Sequence, residues 1–330
     1  MSYLMVTAGL VLLVICGDLL VKGAVALSMK LHLPRLLVGL TIVSIGTSAP
    51  ELFVCIQAAL DNHQSMAIGN IVGSNIANVL LVLGLPAMFF SMTCCQYGVR
   101  RNAIAMIAVS IIFIILAWLG PLTIWHGILL LLMLTAFLVY SARIANEARL
   151  AAKAGSPLTI DDPMDDFDDG SLPTTDLAIF TLILLGIGGL PLGAWLLVEG
   201  ASDVARTLGV SDAVIGLTLV AIGTSLPELA ATLAAAVRKQ HAMAIGNVIG
   251  SNMFNLMAVM GITAVITPLP VPQEMLSVDL WVMLAASLVI LFAVIARRPI
   301  GRVAGLTFLL AYGFYIAYLF DTGMTEIALG

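Results

Sequence analysis

Two glutamates, Glu51 and Glu228, occupy matching positions in a segment that the chain contains twice. The copies are GLTIVSIGTSAPEL at residues 39–52 and GLTLVAIGTSLPEL at residues 216–229, and they are identical at 11 of 14 positions. Each glutamate follows a proline inside a long apolar stretch. Because a carboxylate buried in such a stretch is costly until something neutralises it, the pair points to binding of a proton or a mobile cation.

The prolines indicate that the polypeptide is irregular beside each glutamate. Pro50 and Pro227 lack an N–H group and clash with the carbonyls of Gly46 and Gly223, so the helix is expected to kink or unwind there. Freed carbonyls at membrane depth are tolerated only where protein or a polar cavity satisfies them. Hydroxyl groups three and four residues before each glutamate share its helix face; they belong to Thr47 and Ser48 in the first copy and to Thr224 and Ser225 in the second.

A second duplicated stretch follows each motif and adds amide and hydroxyl groups. It is AIGNIVGSNIAN from Ala67 and AIGNVIGSNMFN from Ala244, and its polar residues recur every four positions. A lone polar residue in a membrane helix often only joins helices, but its repetition beside a Pro-Glu break favours a binding site. The two duplicated stretches supply carboxylate, hydroxyl, amide and backbone carbonyl oxygens, which suit Ca²⁺ or Na⁺. They contain none of the His and Cys ligands expected around zinc or copper. The polar residues that recur every four positions are Asn70, Ser74 and Asn78, with Asn247, Ser251 and Asn255 as their counterparts.

The composition indicates that these motifs lie in membrane-spanning helices. The 330 residues are 61% hydrophobic and 10% charged, against about a quarter charged in soluble domains, and the mean hydropathy is +1.11. Ala24-Val25-Ala26 matches a signal-peptide cleavage pattern, but no Lys or Arg precedes the N-terminal apolar run, which favours a first spanning helix. Ten spans are predicted, at 3–28, 34–60, 65–91, 102–119, 123–143, 177–201, 212–237, 242–266, 278–296 and 302–320.

A constant offset of 177 residues maps the first five spans onto the second five, as Glu51 with Glu228 and Asn78 with Asn255 illustrate. With the N-terminus outside, thirteen of the fourteen Lys and Arg residues face the cytoplasm, which satisfies the positive-inside rule. Each repeat has an odd number of spans, so the two are expected to be inverted. The predicted division is a first repeat at 1–143, an acidic cytoplasmic linker at 144–176 and a second repeat at 177–330, in the inner (plasma) membrane with both termini periplasmic or extracellular.

Several other features of the sequence have more than one interpretation. The acidic run from Asp161 to Asp169 either binds a regulatory cation or is a solvated linker, and its failure to match the EF-hand pattern favours the linker. Asp18 and Lys22 are interpreted as an interfacial pair. Glycines at 186–193 form either a hinge or a packing notch. Glu199 and Asp203 lie either at a solvated helix end or on a cation entry route, and Cys16 and Cys55 are interpreted as packing residues.

The two motif pairs, GTSAPEL with GNIVGSN and GTSLPEL with GNVIGSN, resemble the alpha repeats of the calcium/cation antiporter superfamily. The sodium/calcium exchanger branch and its short bacterial inner-membrane members are the most similar. The resemblance implies an all-α fold of ten transmembrane helices in two inverted five-helix repeats, with Pro-broken helices at the centre and spans 1 and 6 sliding across the site. It implies cation ligands from the backbone carbonyls of Ser44 and Ala221 and from the side chains of Thr47, Ser48, Glu51, Ser74, Asn78, Thr224, Ser225, Glu228, Ser251 and Asn255.

One departure from the family concerns the charge of the site. Some sodium/calcium exchangers carry an Asp in one repeat where this chain has Asn78 and Asn255, so two formal charges remain here. The leading hypothesis is antiport of Ca²⁺ against Na⁺ by alternating access, with H⁺ or K⁺ as alternative coupling ions. A cation channel is the rival hypothesis from another class. An intramembrane enzyme that uses the two glutamates as acid and base is a third hypothesis, which is disfavoured because nothing in the sequence supplies a nucleophile or a metal set. Membrane lipid and inorganic cations are the expected partners; no cofactor, nucleic acid or protein partner is implied.

Overall fold

The computed structural model describes residues 1–94, 96, 98–153, 172–208 and 221–329, and nearly all of them are helical. The acidic run from Asp161 to Asp169 lies outside the described residues, as does Cys95. The helices, numbered in chain order, are α1 (Ser2–Leu31), α2 (Arg35–Thr47), α3 (Ala49–Leu60), α4 (Gln64–Phe89), α5 (Val99–Trp118), α6 (Ile124–Lys153), α7 (Asp176–Thr207), α8 (Ala221–Gly223), α9 (Leu226–Val237), α10 (His241–Ile266), α11 (Met275–Ile295) and α12 (Arg302–Leu329).

The predicted all-α membrane architecture is confirmed. Among the described residues, eight helices are long and apolar enough to cross a bilayer, and the bent pair α2–α3 makes nine. The seventh predicted span, 212–237, begins among the residues that are not described, and α8 and α9 form its remainder. The number ten therefore stays a prediction, and so do the boundaries of the two repeats; α6 continues to Lys153, beyond the end predicted for the fifth span.

Helices α1 and α7, which correspond in the two repeats, pack against each other in opposite directions. Ser2 and Gly200 meet at one end, and Gly23 and Ile183 meet towards the other. Because corresponding helices run antiparallel, the repeats are inverted, as predicted.

The glycines of α7 allow the backbones of α1 and α7 to approach closely. A methyl group added at Gly186 would lie 2.6 Å from Leu20 Cβ, and one added at Gly193 would lie 3.0 Å from the Leu13 nitrogen. α7 continues without interruption through Pro191. The glycine-rich stretch therefore forms a packing notch in this conformation.

The predicted helix breaks lie at both prolines. α2 and α3 meet at a 42° bend at Ser48, and Pro50 lies in the first turn of α3. In the second copy, α8 ends at Gly223 and α9 begins at Leu226, with Pro227 in its first turn. The missing N–H group of proline costs least in a first turn, so each break places the following glutamate at a helix N-terminus.

α4 and α10, the second helices after the two breaks, cross near their midpoints and contain matching π-helical segments. The Asn75 side-chain amide of α4 donates to the Asn252 carbonyl of α10 at 3.3 Å, and Asn252 donates to the Asn75 carbonyl at 3.2 Å. A π-helical segment begins at Asn78 in α4 and at Asn255 in α10. Such segments are frequent at functional sites.

Candidate cation-binding site

Glu51 and Glu228 are both fully buried, each with 0% of its surface exposed. Each lies in the first turn of its helix, α3 or α9, where the positive end of the helix dipole favours a carboxylate. The ion pairs formed by the described residues include neither glutamate. The negative charge of the pair is therefore not balanced by a fixed Lys or Arg.

A direct hydrogen bond joins the two motifs. The Ser48 hydroxyl donates to Glu228 Oε1 at 2.8 Å, across a separation of 180 residues in sequence. The other Glu228 oxygen and both carboxylate oxygens of Glu51 have no hydrogen-bond partner in the described part of the chain. Leaving a buried polar atom unpaired costs about 1–3 kcal/mol, and more for a charged group, so these oxygens favour an additional positively charged ligand.

The threonines of the two motifs make equivalent contacts across the interface between the repeats. The Thr47 hydroxyl donates to Asn247 Oδ1 at 3.4 Å, and the Thr224 hydroxyl donates to Asn70 Oδ1 at the same distance. Thr224 and Asn247 are the counterparts of Thr47 and Asn70 at the 177-residue offset, so each bond joins the threonine of one repeat to the asparagine of the other. The two asparagines, which the sequence placed on the polar stripe of each repeat, thus position the threonines.

The amide groups of those asparagines are fixed in turn by the preceding helices. Asn247 donates to Thr232 Oγ1 at 3.0 Å, and Asn70 donates to Cys55 Sγ at 3.4 Å. Cys55 and Thr232 correspond in the two repeats. The interpretation of Cys55 as a packing residue was therefore incomplete, because its sulfur accepts a hydrogen bond that orients Asn70.

Most of the other side chains expected to bind the cation are buried and carry an unpartnered polar atom. The atoms that find no hydrogen-bond partner among the described residues are Ser74 Oγ, Asn78 Oδ1 and Nδ2, Ser225 Oγ, Ser251 Oγ and Asn255 Oδ1. Each of these residues has at most 3% of its surface exposed. All but one of the atoms are oxygens, the ligands that hard cations take.

The two expected backbone ligands differ in their surroundings. The Ser44 carbonyl accepts from the Ser48 N–H at 3.0 Å and from the Thr47 hydroxyl at 3.4 Å. In the second copy, the Ser225 N–H instead bonds to the Ile222 carbonyl at 3.1 Å, and Ala221 is the first residue of α8. A role for either carbonyl stays a prediction.

Asn75 and Asn252 are buried residues at the centre of this region that the sequence analysis did not select. Besides the mutual bonds described above, Asn75 Oδ1 accepts from Asn255 Nδ2 at 3.1 Å. The corresponding bond from Asn78 to Asn252 is missing, and Asn252 Oδ1 is unpartnered within the described residues. The signal was present in the sequence, because each asparagine ends a GSN triplet that the chain contains twice.

The weaker candidates take up structural contacts. Asp18 pairs with Lys22 at 3.0 Å and also with Arg238, so the expected local pair links α1 to the end of α9. Asp203 pairs with Arg206 at 3.2 Å and accepts from the Ser2 hydroxyl at 3.3 Å. The described residues contain no group of three or more His, Cys, Asp or Glu side chains suited to holding a metal ion.

Comparisons with known proteins show the family to which the chain belongs. A family model described as sodium/calcium exchanger protein matches residues 1–143 and 178–320. The chain is 36% identical to "Putative antiporter CaxA" of Alkalimonas amylolytica, over 96% of this chain and 98% of that protein. It is 35% identical to "Inner membrane protein YrbG" of Escherichia coli (strain K12), over 93% of each chain.

Similarity extends to an archaeal exchanger and to solved structures. "Sodium/calcium exchanger MaX1" of Methanosarcina acetivorans is 32% identical over 96% of this chain and 97% of that protein. A structure of the sodium-calcium exchanger NCX_Mj soaked with Na⁺ and Ca²⁺ matches with a TM-score of 0.79 and 30% identity, covering 96% of this chain and 97% of that chain. This chain therefore belongs to the sodium/calcium exchanger family of membrane antiporters.

Proposed function

We propose that this family member exchanges Ca²⁺ for Na⁺ across the membrane by alternating access. The observation that carries the proposal is a pair of fully buried carboxylates, Glu51 and Glu228, that have no basic partner among the described residues and belong to duplicated motifs rich in unpartnered buried oxygen atoms. Hard cations take such oxygens as ligands, with 6–8 of them around Ca²⁺. A bound cation would supply the counter-charge of this site.

The proposed ligands come from both repeats. Ser48 and Glu228 already contact each other, so an ion bound between the motifs would join them further. The ligand set comprises the carbonyls of Ser44 and Ala221 and the side chains of Thr47, Ser48, Glu51, Ser74, Asn78, Thr224, Ser225, Glu228, Ser251 and Asn255. Burial and unpartnered oxygens support seven of the side-chain members, namely Glu51, Ser74, Asn78, Ser225, Glu228, Ser251 and Asn255. The hydroxyl groups of Thr47, Ser48 and Thr224 already donate hydrogen bonds within the protein, and their membership rests on the family resemblance.

The charge of the site supports exchange rather than leak. One Ca²⁺ or two Na⁺ would neutralise the two glutamates, because Asn78 and Asn255 are uncharged. The site without ions carries an unbalanced charge, and a charged group at the bilayer centre costs roughly 2.5–3.5 kcal/mol or more. Only the loaded site would therefore change its access from one face to the other, so each ion can leave only when another replaces it.

The proposed orientation places both termini on the periplasmic or extracellular face and residues 144–176 in the cytoplasm of the cell. The distribution of Lys and Arg between the predicted loops supports it. The inner (plasma) membrane is the proposed location. In the proposed cycle, α1 and α7 slide as a pair across the site, and their long antiparallel contact supports movement as one unit.

The test is uptake of radioactive Ca²⁺ into proteoliposomes, with outward gradients of Na⁺, K⁺ and H⁺ imposed separately. Uptake driven by the Na⁺ gradient alone is the expected result. Uptake that follows only the H⁺ gradient, or that requires K⁺ with Na⁺, would identify the alternative exchangers. Uptake that needs no counter-gradient, or single-channel currents in a planar bilayer, would instead identify a channel and reject antiport.

A further inference from the structure

A third buried acid, Asp279, lies in the membrane-spanning part of the molecule outside the glutamate pair. It ends the π-helical segment Met275–Asp279 at the start of α11, and only 9% of its surface is exposed. The Tyr315 hydroxyl of α12 donates to Asp279 Oδ1 at 3.0 Å. None of the ion pairs between described residues includes Asp279, so its charge has no fixed basic partner there.

The fold itself does not require an acid at this position. The counterpart in the first repeat, 177 residues earlier, is Asn102, which donates to the carbonyl of Gly98, the residue just before α5, at 2.9 Å. A carboxylate in a membrane helix is expensive and usually marks an ion or proton pathway. An acid in one repeat only therefore indicates a role on one side of the exchanger.

Asp279 lines a cavity that also reaches residues of the proposed binding site. The cavity has a volume of about 460 Å³ and lies between α4, α11 and α12. One of its lining residues is Ser74, whose buried hydroxyl has no partner in the described part of the chain. Further polar groups of the cavity wall come from Asn70, Thr224 and Tyr312.

The packing of α11 on α4 places Asp279 near the level of Val72, about half a helical turn before Ser74. Near the start of both helices, a methyl group added at Gly69 would lie 3.1 Å from Met275 Cε. Two turns further on, the Asn75 amide contacts Met283 Sδ at 3.7 Å. The two helices therefore run in the same direction from the same face of the membrane, and Asp279 lies midway between these contacts, one helical turn from each.

We propose that Asp279 and Tyr315 form an accessory cation subsite that holds Ca²⁺ or Na⁺ before the ion reaches Ser74 and the glutamate pair. The subsite offers carboxylate and phenol oxygens, and the cavity continues to the hydroxyl and amide oxygens of Ser74 and Asn70. The cavity is large enough to hold several water molecules, so the ion can enter partly hydrated. This inference rests on the proposed cation transport.

The kinetic test compares Asp279→Asn with Glu274→Gln. Both variants remove one acid near the start of α11, but Glu274 is exposed and does not line the cavity. Charged clefts raise local ion concentration by about tenfold or more, so Asp279→Asn should raise the half-saturating Ca²⁺ concentration for uptake about tenfold. The shift should occur for Ca²⁺ presented at the face where α4 and α11 begin, with little change in the maximal rate. Glu274→Gln should shift the half-saturating Ca²⁺ concentration much less than Asp279→Asn does, because Glu274 is exposed to solvent screening.

A binding measurement separates the subsite from transport. Tb³⁺, a surrogate for Ca²⁺ that luminesces when a nearby tyrosine is excited, is titrated into protein carrying Glu51→Gln and Glu228→Gln. Tyrosine-sensitised luminescence should persist in this background, disappear when Asp279→Asn is added and survive addition of Glu274→Gln. If Asp279→Asn does not fold, Tyr315→Phe takes its place, because it removes one oxygen of the subsite and keeps the carboxylate. It should raise the Tb³⁺ concentration at half-maximal luminescence relative to the background protein, with Tyr312 of the cavity wall as the remaining sensitiser; an unchanged midpoint would contradict the subsite.

Two outcomes overturn the subsite. The first is an Asp279→Asn variant with unchanged half-saturation and unchanged Tb³⁺ luminescence. The second is a folded Asp279→Asn variant that is inactive even at saturating Ca²⁺, which would make the residue part of the deep site or of the structure. If wild-type protein shows no ion-coupled uptake, the proposed function fails, whereas the luminescence titration still decides the subsite.

Discussion

Replacing Glu51 with Gln removes one of the two charges of the proposed site with almost no change in side-chain shape. Both carboxylate oxygens of Glu51 lack a hydrogen-bond partner among the described residues, so the substitution breaks no protein contact. Its effect should therefore be electrostatic. With Ca²⁺ bound, the site of the variant would carry one positive charge, whereas the wild-type site would be neutral.

The size of this effect follows from the position of Glu51. A net charge at the bilayer centre costs roughly 2.5–3.5 kcal/mol by insertion scales. Each 1.4 kcal/mol is about a factor of ten, so Ca²⁺ exchange should slow roughly 100-fold. A single Na⁺ neutralises the variant site, so Na⁺–Na⁺ exchange should be reduced much less than Ca²⁺ exchange.

Stability measurements check the same reasoning without transport. At a ligand concentration about 100 times the dissociation constant, binding stabilises the folded protein by about 2.7 kcal/mol. If Glu51→Gln weakens Ca²⁺ binding about 100-fold, the same Ca²⁺ concentration should contribute only about 0.4 kcal/mol. The melting temperature of the ion-free variant should not fall, because a buried charge has been removed.

The assay is thermal unfolding in detergent with and without Ca²⁺, together with uptake of radioactive Ca²⁺ and Na⁺ into proteoliposomes. The control is Glu147→Gln, which removes the same charge from an exposed position on α6. Glu147→Gln should keep wild-type uptake and the full Ca²⁺-dependent stabilisation. Wild-type Ca²⁺ uptake by Glu51→Gln would refute the argument that the buried charge drives binding.

Two further substitutions test the hydrogen bonding and the helix packing. Ser48→Ala removes the donor to Glu228 and should lower the stability of ion-free protein by about 1.5–3 kcal/mol, the range for hydrogen bonds to charged groups. The control is Ser225→Ala, which removes a hydroxyl that is unpartnered within the described residues and should cost little. Equal losses of melting temperature in the two variants would contradict this reasoning. Gly9→Val should lower the melting temperature by separating α1 from α7, because an added methyl group would lie 2.6 Å from the backbone nitrogen of Leu197. Gly188→Val, where no described atom lies within 4 Å, is the control, and a similar loss there would show that packing between these helices is not the cause.

The broken helices were predictable because they depend on the local chemistry of proline. The inverted arrangement was predictable because it depends on the number of spans in each repeat. A proline inside an apolar run must disturb the helix around it, and both breaks lie where Pro50 and Pro227 require them. An odd number of spans in each of two copies reverses the second copy. The repeated motif also directed attention to Glu51 and Glu228 before any contact was known.

The hydrogen-bond partners were not predictable, because they depend on how segments far apart in sequence pack together. Nothing local indicates that Ser48 bonds to Glu228 or that Thr47 bonds to Asn247. Asp279 was missed for another reason. The duplication drew attention to residues present in both repeats, and Asp279 has an asparagine as its counterpart.

Near-identical repeat sequences predict identical surroundings for paired residues, yet the surroundings differ. Asn255 donates to Asn75, whereas both amide atoms of its counterpart Asn78 are unpartnered within the described residues. The space around paired glycines differs as well. A methyl group added at Gly250 would lie 2.5 Å from the Leu40 carbonyl oxygen. At its counterpart Gly73, which lines the cavity beside Asp279, an added methyl group would meet no described atom within 4 Å. An exchanger that serves one face at a time must hold its two halves in unequal conformations. We therefore expect the duplicated motif to locate the proposed site, and the difference between the halves to determine which ligands are accessible and from which side.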